Sequence, residues 1–197
     1  MPAARTYHHG NLRAALLTGA EQTLAEGGDL SLRELARRIG VSHAAPRRHF
    51  ADKQALLDAL ALDGFERLGA ELTDALAASA PGAEGRMLAF ATTYVRFATQ
   101  HAALLDLMYT GKKSAPEVSE AAERAFAASL TLFRDGQASG EIVAGDTQEV
   151  AMVAFATCQG LASLINSGML PEGALDDLVA EAVARLVHGL RPRSVGG

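Results

Sequence analysis

Ser31-Leu-Arg-Glu-Leu-Ala-Arg-Arg-Ile-Gly-Val-Ser-His-Ala-Ala-Pro-Arg-Arg-His-Phe50 reads as two short helices around a Gly-Val-Ser turn. Ser31 followed by Glu34 is a capping box, in which hydroxyl and carboxylate satisfy backbone N–H groups that lack intrahelical partners. The first helix therefore starts at Leu32. Leu32, Leu35, Ala36 and Ile39 recur at the spacing of one buried stripe, and Arg33, Arg37 and Arg38 point elsewhere. Gly40 ends the helix, because glycine tolerates the left-handed backbone of a C-terminal cap. Ala36 and Gly40 are small enough for a second helix to cross closely. Ser42 is placed to cap that helix, residues 43 to about 50, with Pro46 costing it one early hydrogen bond.

Working outward, a helix from about residue 8 to 26 carries Leu12, Leu16, Ala20 and Leu24 at four-residue steps and closes at Gly27-Gly28. It is the third helix of a small N-terminal domain, residues 1–52. Asp52 caps a connecting helix, 53–78, with Leu57, Leu60, Leu68, Leu72 and Leu76 along one side; Gly64 and Gly69 within it fit either flexibility or close helix packing. The second domain, 53–197, continues with helices at 84–101, around Leu104 to Met108, at 116–139, after Asp146, and at 173–190. Val150 to Ile165 is apolar around most of its circumference. Its small residues permit close contact, so it lies either against a partner or as the central helix of a monomer. The fold class expected is all-α.

Composition narrows the function. The chain has 197 residues, 49% hydrophobic and 21% charged, as in ordinary folded proteins. One cysteine, Cys158, excludes an intrachain disulfide and fits a reducing cytoplasm. No apolar run approaches the length of a membrane span, and the start lacks a secretion-signal core. Charge is divided unequally, +3 over residues 1–53 and −8 over the rest. A basic face on an acidic chain is what attraction to a polyanion requires, so the helix pair reads as a DNA-contacting helix-turn-helix rather than as any antiparallel helix pair.

Leu32 to Ser42, followed by His49-Phe-Ala-Asp-Lys53-Gln-Ala-Leu-Leu57, resembles the tetracycline-repressor (TetR) family of bacterial regulators, and the likeness runs along the chain. Tyr7-His-His-Gly-Asn-Leu-Arg13 resembles one branch of it. Gln100 to Tyr109 and Phe155 to Leu161 are similar to a C-terminal domain type named for Trp and His-Gly positions; here Phe155 and Gln159 stand in place of Trp and His, and Gly160 is kept. The resemblance implies a helix-turn-helix domain joined to a helical ligand-binding and dimerisation domain. It also implies a cytoplasmic homodimer, most simply a repressor, that binds a palindromic double-stranded operator and is released by a small-molecule effector. No cofactor or metal is implied.

Site residues follow from the same resemblance. Ser42, His43 and Ala44 sit where the family meets DNA, with His43 able to donate or accept and Ala44 able to touch a thymine methyl. His49 and Lys53 match phosphate-contacting positions; Arg48, Tyr7 and Thr6 are further backbone candidates. Arg47 replaces the usual tyrosine and either grips phosphate, the preferred reading, or pairs with guanine. An effector pocket is expected among Phe90, Tyr94, Phe97, Met108, Phe126, Met152 and Cys158, positions that equally suit ordinary core. The last two helices are expected to pair across a twofold through Val153, Ala156, Gly160, Leu164, Leu178, Ala182 and Leu186.

Two rival functions stand beside this one. His8 and His9 diverge on a helix, and Cys158 has no assigned base, so the sequence does not suggest an enzyme. A helical dimer that binds a protein or small molecule without reading DNA is the other alternative.

Overall fold

The computed structural model describes residues 9–111 and 115–191. Among the described residues all regular structure is helical: α1 (His9–Ala25), α2 (Leu32–Ile39), α3 (Lys53–Ala77), α4 (Ala83–Gln100), α5 (Ala102–Gly111), α6 (Pro116–Ser139), α7 (Thr147–Asn166) and α8 (Leu175–Leu190), with 3-10 turns at Pro46–Arg48 and Glu172–Ala174. They form two compact units, one from Met1–Gly64 with Ala103–Ser119 and the other from Phe65–Ala102 with Glu120–Gly197. The division falls inside α3, not at residue 52. Gly64 is the reason on the first side: a Cβ there would stand 2.7 Å from the Met108 sulfur, so the start of α3 and α5 share one core.

In the first unit, α1 contributes Leu12, Leu16, Leu17 and Ala20 to the interior, and α2 contributes Leu35 and Ala36. Each buried leucine contributes roughly 1.5–3 kcal/mol. The caps of α2 form largely as its sequence dictates. The Glu34 backbone N–H donates to Ser31 Oγ at 3.1 Å, and Gly40, at φ 78°, donates to the Ala36 carbonyl at 3.0 Å. Glu34 does not complete the capping box. Its carboxylate takes Arg37 instead, because residues three apart on a helix are neighbours and an ionic partner outcompetes a neutral amide. Arg38 ties α2 to α1, donating to Thr23 Oγ1 at 2.7 Å and to both Glu26 oxygens at 3.0 Å.

α3 opens on Asp52, whose Oδ1 accepts the Ala55 N–H at 2.8 Å. Its buried residues are Leu56, Leu60, Ala61, Phe65, Leu68 and Leu72; Leu57 and Leu76 are half-exposed. Gly69 serves close packing as Gly64 does, since a Cβ there would lie 2.9 Å from the Ala125 Cα.

The second unit is built on α4, which packs against α7 and α8 and buries Met87, Phe90, Ala91, Tyr94, Val95, Phe97 and Ala98. Gly82 precedes α4 and has no side chain to cap it. Glu141 does so from a distance in sequence, accepting the Ala83 N–H at 2.9 Å and the Ser139 hydroxyl at 2.9 Å. These bonds stabilise the carboxylate and lower its pKa. α7 starts on Asp146, whose Oδ1 accepts from the Gln148 and Glu149 amides. α7 has 20 residues, and an 18-residue window of it has a mean hydropathy of 1.2, so by length and composition it does reach a membrane span, contrary to the sequence expectation. Ala154, Cys158, Ala162 and Ile165 nevertheless give it a buried stripe within the unit, as in a helix of a folded domain.

Candidate nucleic-acid interface and the interior of the second unit

The segment expected to be the second helix of the pair is not a regular α-helix. Residues 43–45 form a turn, and the chain then closes into the 3-10 turn Pro46–Arg48. Proline has no N–H to return to the Ser42 carbonyl, which accepts from Ala45 at 3.0 Å instead. Pro46 and Phe50 are buried and anchor the segment, with Phe50 only 3% exposed. Between and before these anchors the side chains face outward. Ser42, His43, Ala44, Arg47 and Arg48 are exposed, and His49 is half-buried.

The cations of the first unit differ in how they are partnered. Arg37 is held by Glu34, Arg38 by Glu26, and Lys53 by Asp29 with Nζ to Oδ1 at 3.0 Å. Arg13 lies 5.8 Å from the Phe50 ring centroid. Among the described residues, no ion pair engages Arg33, Arg47 or Arg48. Arg47 and Arg48 therefore project charge from a fixed turn without an acid beside them, an arrangement able to meet a phosphate backbone. Arg33 and Asp29 did not stand out in the sequence. Only the pairing pattern separates a free arginine from an occupied one. Thr6 and Tyr7 lie outside the described residues.

In the second unit, three of the expected pocket residues come together. Tyr94 is fully buried, with ring centroids of Phe90 at 6.2 Å and Phe126 at 6.3 Å. Phe155 completes the cluster at 5.3 Å from Tyr94 and 5.4 Å from Phe126, and the Tyr94 hydroxyl donates to Gln159 Oε1. Neither Phe155 nor Gln159 was among the expected lining residues, although both were the points of departure from the C-terminal domain type. Phe97 faces a different neighbourhood, 4.8 Å from the His101 ring and beneath Arg67. Cys158 is buried, and desolvation of its thiolate pushes the thiol up to about 12. Met152 is 61% exposed and does not join the cluster. Met108 falls in the other compact unit.

A second surface is apolar and open. On α7, Val153 is 52% and Leu164 38% exposed, with Ala156 and Gly160 also exposed between them. Among the described residues, no atom beyond its own stretch of helix lies within 4 Å of where a Cβ on Gly160 would stand. On α8 the buried stripe is Val179, Val183 and Val187; Leu178, Ala182 and Leu186 flank it half-exposed.

Comparison with known proteins agrees with this architecture. The profile of bacterial regulatory proteins of the tetR family matches residues 16–60, and that of the tetracyclin repressor-like C-terminal domain matches residues 87–190. An HTH-type transcriptional repressor of Mycobacterium tuberculosis is 39% identical over 72 residues, 36% of this chain and 38% of that repressor's own length. A protein of unknown function from Rhodococcus sp. RHA1 is 46% identical, with a TM-score of 0.86 over 96% of this chain and 100% of its own. A TetR family transcription regulator from Marinobacter aquaeolei shares the fold at 19% identity, with a TM-score of 0.75 over 92% and 96% of the two chains. So does the regulator FadR from Bacillus subtilis, solved in complex with stearoyl-CoA, at 16% identity and a TM-score of 0.71 over 90% and 99%. With matches at both ends and a helix-turn-helix unit followed by a helical one, the chain belongs to the TetR family of bacterial transcription regulators.

Proposed function

We propose that this chain is a cytoplasmic, homodimeric transcription regulator, most simply a repressor, which binds a palindromic operator and lets go when a small molecule occupies its C-terminal half. The observation that carries the reading is the outward display of His43, Ala44, Arg47 and Arg48 from a turn fixed by Pro46 and Phe50. His43 and Ala44 meet base edges; Arg47, Arg48, His49 and Lys53 hold phosphates. The open apolar face of α7, with Leu178, Ala182 and Leu186 of α8, supports pairing with a second copy. Twofold pairing places two such turns on two half-sites.

For the effector, the cluster of Phe90, Tyr94, Phe126 and Phe155 with the Tyr94–Gln159 bond supports a largely apolar molecule carrying a hydrogen-bonding group. Stearoyl-CoA in the Bacillus subtilis regulator is a precedent for a small molecule on this fold. With the Tyr94 and Phe155 ring centroids 5.3 Å apart, a ligand that enters between them has to separate the rings, and its preference for the opened form supplies the coupling to DNA release.

Selection of bound sequences from a random duplex library tests the reading. A palindromic motif is expected, with Lys53→Ala weakening binding to all sequences and His43→Ala weakening it in a sequence-dependent way. A dimer that selects no sequence would favour the other reading, a helical dimer that binds a partner without reading DNA. That reading draws on one observation, the absence of a regular second helix at residues 43–50.

A further inference from the structure

We propose that Asp29 is a built-in competitor of DNA, a carboxylate that occupies Lys53 in the free protein and sets how tightly the backbone is held. The inference rests on Lys53 as a phosphate contact. Lys53 is the first residue of α3, and its ammonium lies 3.0 Å from Asp29 Oδ1. A cation at a helix N-terminus opposes the helix dipole, whereas an approaching phosphate is favoured there by the same dipole. Two carboxylates stand at this helix start, Asp52 and Asp29, and they differ in what they do. Asp52 accepts the Ala55 amide and holds the first turn of α3. Asp29 contributes no such cap. Its side chain is 88% exposed, and an exposed ion pair of this kind adds little to stability. Its chemical effect is to neutralise the cation that a phosphate oxygen would otherwise take.

Arg37 and Arg38 also carry carboxylate partners, but their geometry differs. Glu34 lies one turn from Arg37 on the same helix, a pair local to α2, whereas Arg38 bridges from α2 to Thr23 and Glu26 at the end of α1. Asp29 lies between α1 and α2, next to the Gly27-Gly28 break, and Lys53 is its ion-pair partner among the described residues. Phosphate binding at Lys53 has to displace or crowd that carboxylate. Giving up an exposed ion pair of this kind weakens the phosphate contact about threefold, so about tenfold for a complex of two protomers. Because the contact is to phosphate, the loss applies to every sequence equally and leaves discrimination unchanged.

The test uses the full chain and a fluorescein-labelled 30-base-pair random-sequence duplex, with anisotropy titrations at 50 and 200 mM salt. Wild type, Asp29→Asn, Lys53→Met and the double variant are compared, each with its thermal midpoint. Asp29→Asn is expected to bind about tenfold more tightly at low salt with an unchanged midpoint, and to show a steeper salt dependence. In the Lys53→Met background the same substitution is expected to gain less than about twofold, because the cation it frees is absent. No gain from Asp29→Asn in the wild-type background overturns the proposal, and so does an equal gain with and without Lys53, which would make Asp29 a general source of repulsion. If Lys53→Met leaves affinity unchanged, the phosphate contact itself is wrong, a result distinct from either.

Discussion

Ser129 on α6 gives the most direct test of the second unit's interior. It is 4% exposed, and its Oγ is fully buried without a hydrogen-bond partner among the described residues. A hydroxyl in that position costs about 1–3 kcal/mol, the water bonds it gave up on folding. Ser129→Ala removes the cost and adds about 0.5 kcal/mol of helix propensity, against a loss of one oxygen's packing. The net expectation is a gain of about 1–2 kcal/mol. For a chain of this size that is a rise of about 3–6 °C in thermal midpoint. Ser119→Ala, at a half-exposed position of α6, reports the propensity contribution. Differential scanning calorimetry of the three proteins at one protomer concentration isolates the burial effect, since the midpoint of an oligomer moves with concentration. A Ser129→Ala midpoint at or below that of Ser119→Ala would refute the reasoning. The hydroxyl would then be bonded, most simply to a buried water.

Three other outcomes are expected. Cys158, with its thiol raised to about 12, should react with a disulfide reagent at pH 8 roughly a thousandfold more slowly in the native protein than after unfolding; comparable rates would contradict its burial. Glu141 has a lowered pKa in the folded state, chiefly because the Ala83 amide donates to it and also because the Ser139 hydroxyl does. Its contribution to stability is therefore full above the ordinary carboxylate range and is lost as pH falls through the lowered value. Glu141→Gln should lower the melting point at pH 7, with the gap closing in acid; a gap independent of pH would exclude the carboxylate as its source. Val153→Asp with Leu164→Asp should yield a monomer in sedimentation at micromolar concentration and weaken operator binding, whereas an unaltered dimer would move the interface off α7.

How much of this could be read in the sequence depends on whether one residue or a whole environment decides the feature. Helix ends are decided by single residues, so Ser31, Gly40, Asp52 and Asp146 act where the sequence places them. The face of a long helix is not decided that way. From Leu57 to Leu76 at about 100° per residue the direction turns by about 100°, so leucines at nearly four-residue steps cannot share one side, and Leu56 and Phe65 are buried where Leu57 and Leu76 are not. On α7 the difficulty is of another kind. Apolar residues occur almost all round it, so periodicity does not tell Met152, which is exposed, from Cys158, which is buried. The Tyr94 hydroxyl was legible as needing a partner. That the partner is Gln159, 65 residues away, is a tertiary fact.

Pro46 has the widest consequence for function. By replacing the expected helix with a turn and one 3-10 turn, it leaves His43 and Ala44 as the outward-facing side chains proposed to read bases, with Arg47 and Arg48 beside them for phosphate. One good base contact discriminates by about 1–3 kcal/mol, so two from a single protomer fall short of, or only enter the lower part of, the roughly 4–10 kcal/mol that separates specific from non-specific DNA binding. The phosphate side is limited as well, since Arg37, Arg38 and Lys53 start out paired with acids. A second protomer doubles both quantities at the cost of one interface. The exposed Val153, Ala156, Gly160 and Leu164 offer a surface from which to build it, and on the proposed reading dimerisation is the step that turns a weak basic turn into a selective one.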